Sequence, residues 1–265
     1  SIPFGILLGT LSGFLIVELA SHVITFHRGY DLYNVGFAGG ILAFAYFSIF
    51  KLLNIEYKTN LIYTNDQHLL LLFIFIAICL LFVIVGFILN EKPIKEYFKI
   101  LKASGRAITD FTRKNNQPLT MINIGLTGLA ALLVLLVLNV HMNGPVFGGL
   151  LTIVGFSAFG KHPRNVLPPM IGVLLVTLLF NIDLSVAVIL AIIFSTALAP
   201  IAGEHGFIIG ILAGMLHLPV VMSLGQLHGG VLLYSNGFAA AFTAVIIITV
   251  IHTFERTDNN GTTWI

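Results

Sequence analysis

Histidine, tyrosine and a few side-chain amides recur in this chain at a fixed distance, and those are groups that exchange protons or hold small polar solutes. His27-Arg28-Gly29-Tyr30-Asp31-Leu32-Tyr33-Asn34-Val35-Gly36-Phe37-Ala38 returns 201 positions later as His228-Gly229-Gly230-Val231-Leu232-Leu233-Tyr234-Ser235-Asn236-Gly237-Phe238-Ala239. Both copies read His-x-Gly-x-x-Leu-Tyr-x-x-Gly-Phe-Ala. The candidate solute-binding or pore residues are therefore His27, Gly29 and Tyr33 from one copy and Gln226, His228, Gly230, Tyr234 and Asn236 from the other. His27/His228 and Tyr33/Tyr234 are expected to face a central cavity, with Gly29 and Gly230 permitting the backbone to bend. The competing reading is an ordinary interfacial loop, with Tyr in an aromatic belt and His capping a helix.

Ionisable groups at membrane depth are costly and usually functional. Glu18 lies within the first apolar stretch, four residues before His22, so the two share a helix face. With His217, they are the candidates for proton or ion coupling. A carboxylate at Glu204, followed by His205, suits the start of the helix after it. The nine histidines include no His-Glu-x-x-His, so a metal site would have to be assembled by folding from Glu18, His22, His27, His217 and His228. Gly160-Lys161-His162-Pro163 lacks the upstream glycine and following Ser/Thr of a phosphate loop and reads as a turn. Lys161 and Arg164 read as topology anchors. Cys79, the single cysteine, excludes a disulfide within the chain and reads as a small buried hydrophobe. No cofactor is expected, and nothing supports nucleic-acid binding.

The elements that would carry these residues belong to a membrane. Hydrophobic residues make up 57% of 265 and charged ones 9%, too few to coat a water-facing surface of normal size. Mean hydropathy is +1.01. Apolar runs long enough to cross a hydrocarbon core of about 30 Å recur throughout, without the alternation of a transmembrane barrel. The repeat extends upstream of the motif. Gly5, Gly9 and Gly13 pair with Gly206, Gly210 and Gly214, and positions 5–38 hold 12 identities in 34. Small residues four apart let helices approach closely in lipid.

In chain order, 1–53 is read as the remnant of a first repeat and 54–90 as a loop and a transmembrane helix. Residues 91–117 are read as an amphipathic linker in the headgroup plane, with a solvated linker as the alternative, and 118–265 as the second repeat. Pro163, Pro168, Pro169 and Pro219 are expected to mark segment ends or breaks. Stretches 20–35 and 221–235 are expected to be broken or re-entrant, because irregular backbone at membrane depth needs protein or a wet cavity around it. Seven of the thirteen Lys and Arg fall in 92–114, which places the linker in the cytoplasm. Threading outward then puts eleven inside and only Lys51 and Lys58 outside. Seven spans separate equivalent points of the copies, an odd number, so the copies are inverted; if 146–160 dips in and returns, they are not.

The twelve-residue motif, Gly203-Glu204-His205-Gly206 and Gly160-Lys161-His162-Pro163-Arg164-Asn165 together resemble a bacterial family of multi-pass membrane proteins known only as a domain of unknown function. The resemblance implies a domain occurring twice in a longer chain, hence an N-terminal part ahead of this one, and carries no activity or site residues. Leu218-Pro219-Val220 is faintly similar to the pore motif of urea-transporter-type channels but lacks its Pro-Phe-Asn core. The expected fold is all-α: a polytopic helical membrane protein with an internal inverted-topology repeat and broken or re-entrant segments. The expected function is a permease or channel of the cell membrane for a small polar solute or ion, sited where inverted repeats meet. Its expected partners are the lipid bilayer and that solute, with self-association into a homo-oligomer allowed. An intramembrane metal-dependent enzyme and a non-transporting scaffold or sensor are the alternatives.

Overall fold

The structure, a computed structural model, describes residues 2–55, 62–228 and 235–260. Gly230 and Tyr234, and the side chains of Gln226 and His228, lie outside what is described. The described chain is helical. It runs α1 (Ile2–His27), α2 (Asn34–Leu52), α3 (His68–Leu89), the short α4 (Tyr97–Leu101) and α5 (Phe111–Lys114), then α6 (Gln117–Val137) and α7 (Gly144–Phe156). It continues through α8 (Pro163–Leu179), α9 (Val186–Phe194), a 3-10 turn Ser195–Leu198, α10 (Ala199–His205), α11 (Phe207–Leu224), a 3-10 turn Gly225–His228 and α12 (Asn236–Asn260). Seven stretches are long and apolar enough to span a membrane: α1, α2, α3, α6, α9 with α10, α11 and α12. The helices α7 and α8 are shorter. The chain is a multi-pass membrane protein in its helices.

Local chemistry sets the boundaries. Asn116 Oδ1 accepts the Leu119 N–H at 2.9 Å ahead of α6, and Asn143 Oδ1 the Val146 N–H at 3.1 Å ahead of α7. Each satisfies an amide with no partner in its own helix. Gly206, at φ +93°, makes the left-handed bend that separates α10 from α11. Pro163 opens α8 as expected, but Pro168 and Pro169 lie inside α8 and Pro219 inside α11. Tight helix packing explains the first two. A Cβ on Gly210 would meet Pro168 Cβ at 2.8 Å, and one on Gly214 would run into the Pro169 carbonyl. Gly172 answers from α8, against the backbone of Ile211 and Gly214. Only small residues permit this approach, the device expected of packing in lipid.

The same device joins α3 to α6. Gly125 and Gly128 face the Cys79 carbonyl and thiol, and Gly86 faces Pro118 and Ile122. One end of the bundle is marked by Met142 N–H donating to His68 Nδ1 at 2.7 Å. At the other, Phe111 N–H donates to the Ala158 carbonyl at 3.0 Å. Helix α7 joins these two ends. The linker 91–117 is not one continuous helix. Only Tyr97–Leu101 and Phe111–Lys114 are α-helical, and Tyr97, Ile100 and Phe111 are buried against Leu119 and Ile122 of α6. Its apolar residues fold back on the protein, while Ile94, Phe98 and Ile108 stay exposed.

The two glycine stripes differ in their surroundings. Gly210 and Gly214 are packed against α8, whereas Cβ atoms built on Gly5, Gly9 and Gly13 would meet nothing within 4 Å. Gly214→Ala is expected to destabilise the protein by about 1–3 kcal/mol through overpacking. Gly9→Ala is expected to stay within about 0.5 kcal/mol of the parent. Thermal denaturation in detergent measures both, and equal effects would overturn the distinction.

Candidate functional site

The chain turns back sharply after α1. The Asn34 side-chain amide donates to the Ala20 carbonyl at 2.6 Å, so α2 starts beside α1 rather than beyond its end. Of the stretch 20–35, expected to be broken or re-entrant, residues 20–27 continue α1 without a break, and only 28–33 lie between helices. His27 is buried and holds this turn together. Its Nδ1 accepts the Asp31 N–H at 3.3 Å, which leaves Nε2 to donate to Asn34 Oδ1 at 2.8 Å. Gly29 is left-handed at φ +81°, and a Cβ there would lie 2.6 Å from the Ala107 carbonyl oxygen. The glycine is thus required by both the bend and the approach of the linker.

Beyond the bend, Leu32 N–H donates to the Ala197 carbonyl at 3.0 Å and carries Tyr33 into the protein. Tyr33 packs edge-on against Phe156 and Phe194, at ring separations of 5.0 and 5.5 Å. Its hydroxyl is bonded to Lys161 Nζ. Lys161 is fully buried. Nζ also donates to Thr196 Oγ1 at 2.8 Å and lies 4.0 Å from the centroid of the Tyr33 ring. Asp31, fully buried too, accepts the Tyr33 N–H on Oδ1 at 2.8 Å, while Oδ2 has no hydrogen-bond partner among the described residues. Tyr33 therefore bridges a buried cation and a buried carboxyl, one through its hydroxyl and one through its amide.

Burial dominates the electrostatics here. It raises the Asp31 carboxyl to about 8, against the Tyr33 amide and the Lys161 charge, which both pull it down. It pushes the Lys161 ammonium well below its usual range, opposed by Asp31. Burial likewise raises the Tyr33 phenol. The backbone of the lysine is fixed independently. Asn123 Nδ2 donates to the Ser157 and Lys161 carbonyls at 2.8 and 2.7 Å, and Tyr97 Oη donates to Asn123 Oδ1 at 3.2 Å.

The remaining expected site residues are spread over other parts of the molecule. Glu18 and His22 pair at 3.4 Å, but on an exposed face of α1, with side chains 78% and 71% accessible. His217 and Asn236 are buried and face one another from α11 and the start of α12. Among the described residues, no three His, Cys, Asp or Glu come together as a metal site would require. Asp31, Lys161 and Thr196 were not singled out from the sequence. Reading Lys161 as a topology anchor fails, because an anchor must reach water and this ammonium does not. Asp31 could have been noticed, since it stands where the second copy has Leu232 and so breaks the repeat with a charge.

Lys161→Met is expected to destabilise the protein by about 1–3 kcal/mol, because it leaves the buried Tyr33 and Thr196 hydroxyls without the donor that they share. Asp31→Asn with Lys161→Met should be milder than the sum of the singles by about 0.5–3 kcal/mol. Denaturant titration of all four proteins tests this, and strict additivity would mean the two groups are not coupled. A separate outcome concerns His162, whose imidazole burial holds down to about 4 from 6.5. Its contribution is complete above its ordinary value and lost as pH falls toward the folded one. Melting temperature measured against pH should fall across that window, and less so in His162→Asn.

Neither curated proteins nor solved structures offer a match to this chain. A match does exist at the level of families, over residues 1–52 and 89–253, leaving out the loop before α3 and most of α3 itself. The segments that carry the turn at 28–33, the buried Lys161 and all of α6 to α11 lie inside the matched ranges, and the chain belongs to the family described as protein of unknown function DUF1576.

Proposed function

We propose that the protein is a permease or channel for a small polar solute or ion, with its path where two inverted copies of one repeat meet. The observation that carries this reading is a self-match between the copies. A Cβ on Gly36 would lie 3.3 Å from Gly237 Cα, and one on Gly237 would lie 3.0 Å from Gly36 Cα. The next residues, Phe37 and Phe238, stack ring on ring at 5.9 Å. Each residue touches its own counterpart 201 positions away, the signature of a two-fold relation. An axis in the membrane plane is supported by the courses of α2 and α12. Along α12, Val245 to Thr253 run past Phe26, His27 and Arg28, while on α2 Ile41 and Phe44 run toward Leu227. The two helices thus leave their shared contact in opposite directions.

Inverted repeats of this kind put solute sites near mid-membrane, where helices begin inside the bilayer. Helix α2 begins beside α1 in that manner, and the Tyr33–Lys161–Thr196 cluster with Asp31 lies at its start. Buried ionisable groups in a membrane bundle mark solute, ion or proton routes. Lys161 and Asp31 therefore join His27, Gly29 and Tyr33 as the residues we assign to the path. The paired Glu18 and His22 are left as a second candidate for coupling, and the linker is assigned to the cytoplasm by its charge.

Purified protein in sealed proteoliposomes tests the reading directly. Concentration jumps of inorganic ions, organic acids, amino acids and neutral polar solutes would be followed by isotope uptake or transient current. At least one should give saturable flux, reduced ten-fold or more by Lys161→Met. A panel in which every solute matches empty liposomes would remove the proposal.

A further inference from the structure

Residues 103–110 contain no helix, yet they are fixed to several separate parts of the bundle. The Ala103 carbonyl accepts from His162 Nε2 at 3.0 Å, at the start of α8. The Ser104 backbone presses on Gly203 of α10, and Gly105 and Gly160 are so close that neither tolerates a Cβ. Arg106 Nε donates to the Arg28 carbonyl at 2.7 Å, and the Ala107 N–H donates to the Gly29 carbonyl at 3.0 Å. The segment thus lies across the turn 28–33, the turn before α8 and the end of α10 at once. The first of these supplies Tyr33 to the buried cluster, and the second carries Lys161 itself.

One side chain makes most of the polar contacts to the first of them. Besides Arg28, Arg106 donates to Tyr30 Oη at 3.3 Å, stands over the Tyr30 ring at 4.3 Å and pairs with Glu204 at 3.6 Å. Tyr30 Oη in turn donates to Glu204 Oε1 at 2.5 Å. The Arg106 and Glu204 side chains are 39% and 34% accessible, so water screens their pairing and little is needed to release it. At the edge of the segment is a cavity of about 350 Å³ bounded by Lys102, His162, Arg164 and Glu204. It reaches His162, the residue beside Lys161, so the cavity ends one residue short of the buried lysine in the sequence.

We propose that residues 103–110 are a strap that closes the Lys161 centre from the linker side and opens when Arg106 leaves Arg28, Tyr30 and Glu204. Non-helical backbone, with no ladder of hydrogen bonds of its own, opens locally at lower cost than a packed helix. The glycines at 29, 105, 160 and 203 let it seat closely enough to exclude water when shut. The proposal rests on the permease reading for its purpose, but closure can be measured without any transport.

The experiment uses the full chain with Cys79→Ala and a reporter at Thr196→Cys, repeated with Lys161→Cys so that one poorly folding variant does not decide it. A small membrane-impermeant thiosulfonate is added to vesicles exposing the linker. Modification should be slow in protein that keeps Arg106, at least ten-fold faster with Arg106→Ala, and intermediate with Arg106→Lys. An exposed reporter at Lys114→Cys should react at one rate throughout. Rates at 196 and 161 that ignore Arg106→Ala, or that equal the rate at 114 while Arg106 is present, would overturn the strap. Absence of solute flux with these rates as expected would remove the permease and leave the strap standing.

Discussion

Removing the Lys161 ammonium from water costs several kcal/mol, and the surrounding chain is arranged around that cost. Two hydroxyls, a tyrosine face and a nearby carboxyl are brought to one lysine, all from the turn 28–33 except the Thr196 hydroxyl. Tyr33 must come from the turn after α1, Thr196 from the 3-10 turn between α9 and α10, and Asn123 from mid-α6 to hold the lysine's own carbonyl. The left-handed Gly29, the Leu32 to Ala197 hydrogen bond and the seating of the linker on Gly160 all follow from bringing those pieces together. An apolar side chain at 161 would need none of this. That asymmetry argues for a role beyond stability, because a buried amine is a poor source of it.

The positions that match at a spacing of 201 residues supply a second constraint, and the two stretches meet it differently. In the second half, Gly210 and Gly214 bring α11 into backbone contact with α8. The matching stripe on α1 is open, and none of the most apolar stretch of α1 is buried. Near the centre the halves agree again, with Gly36 against Gly237 and Phe37 against Phe238. A glycine is demanded at those positions by proximity rather than by turn geometry. Any side chain at 36 or 237 would hold α2 and α12 apart and pull Tyr33, whose carbonyl lies 2.9 Å from a Cβ built on Gly237, off its partners.

Much of this was legible before any coordinates. Helical spans, the linker and the match between positions 27–38 and 228–239 follow from apolar run length and from rare residue types recurring in register. His27, Gly29 and Tyr33 lie together in one turn, which is local in sequence. Lys161 was not legible, because a basic residue in a short turn between apolar helices looks like any anchor at the membrane edge. Only packing places Tyr33 and Thr196 around it, across separations of 128 and 35 residues. The linker was misjudged for a related reason. Periodicity found its apolar residues, but the helix ends at Leu101, and the partner of those residues is α6. Glu18 and His22 share a helix face as their spacing demands, yet spacing says nothing about which way that face turns.

The turn at 28–33 has a consequence for biosynthesis. Leu32, Tyr33 and Tyr30 find their fixed partners at Ala197, Thr196 and Glu204, more than 160 residues further along. At about 5–20 residues per second, the ribosome needs roughly ten to thirty seconds to make that intervening stretch. The first hairpin therefore enters the bilayer with its connecting turn incomplete and waits, polar backbone and carboxyl included, for the end of α10. Until then, Asp31 lacks the later segments against which its turn is fixed.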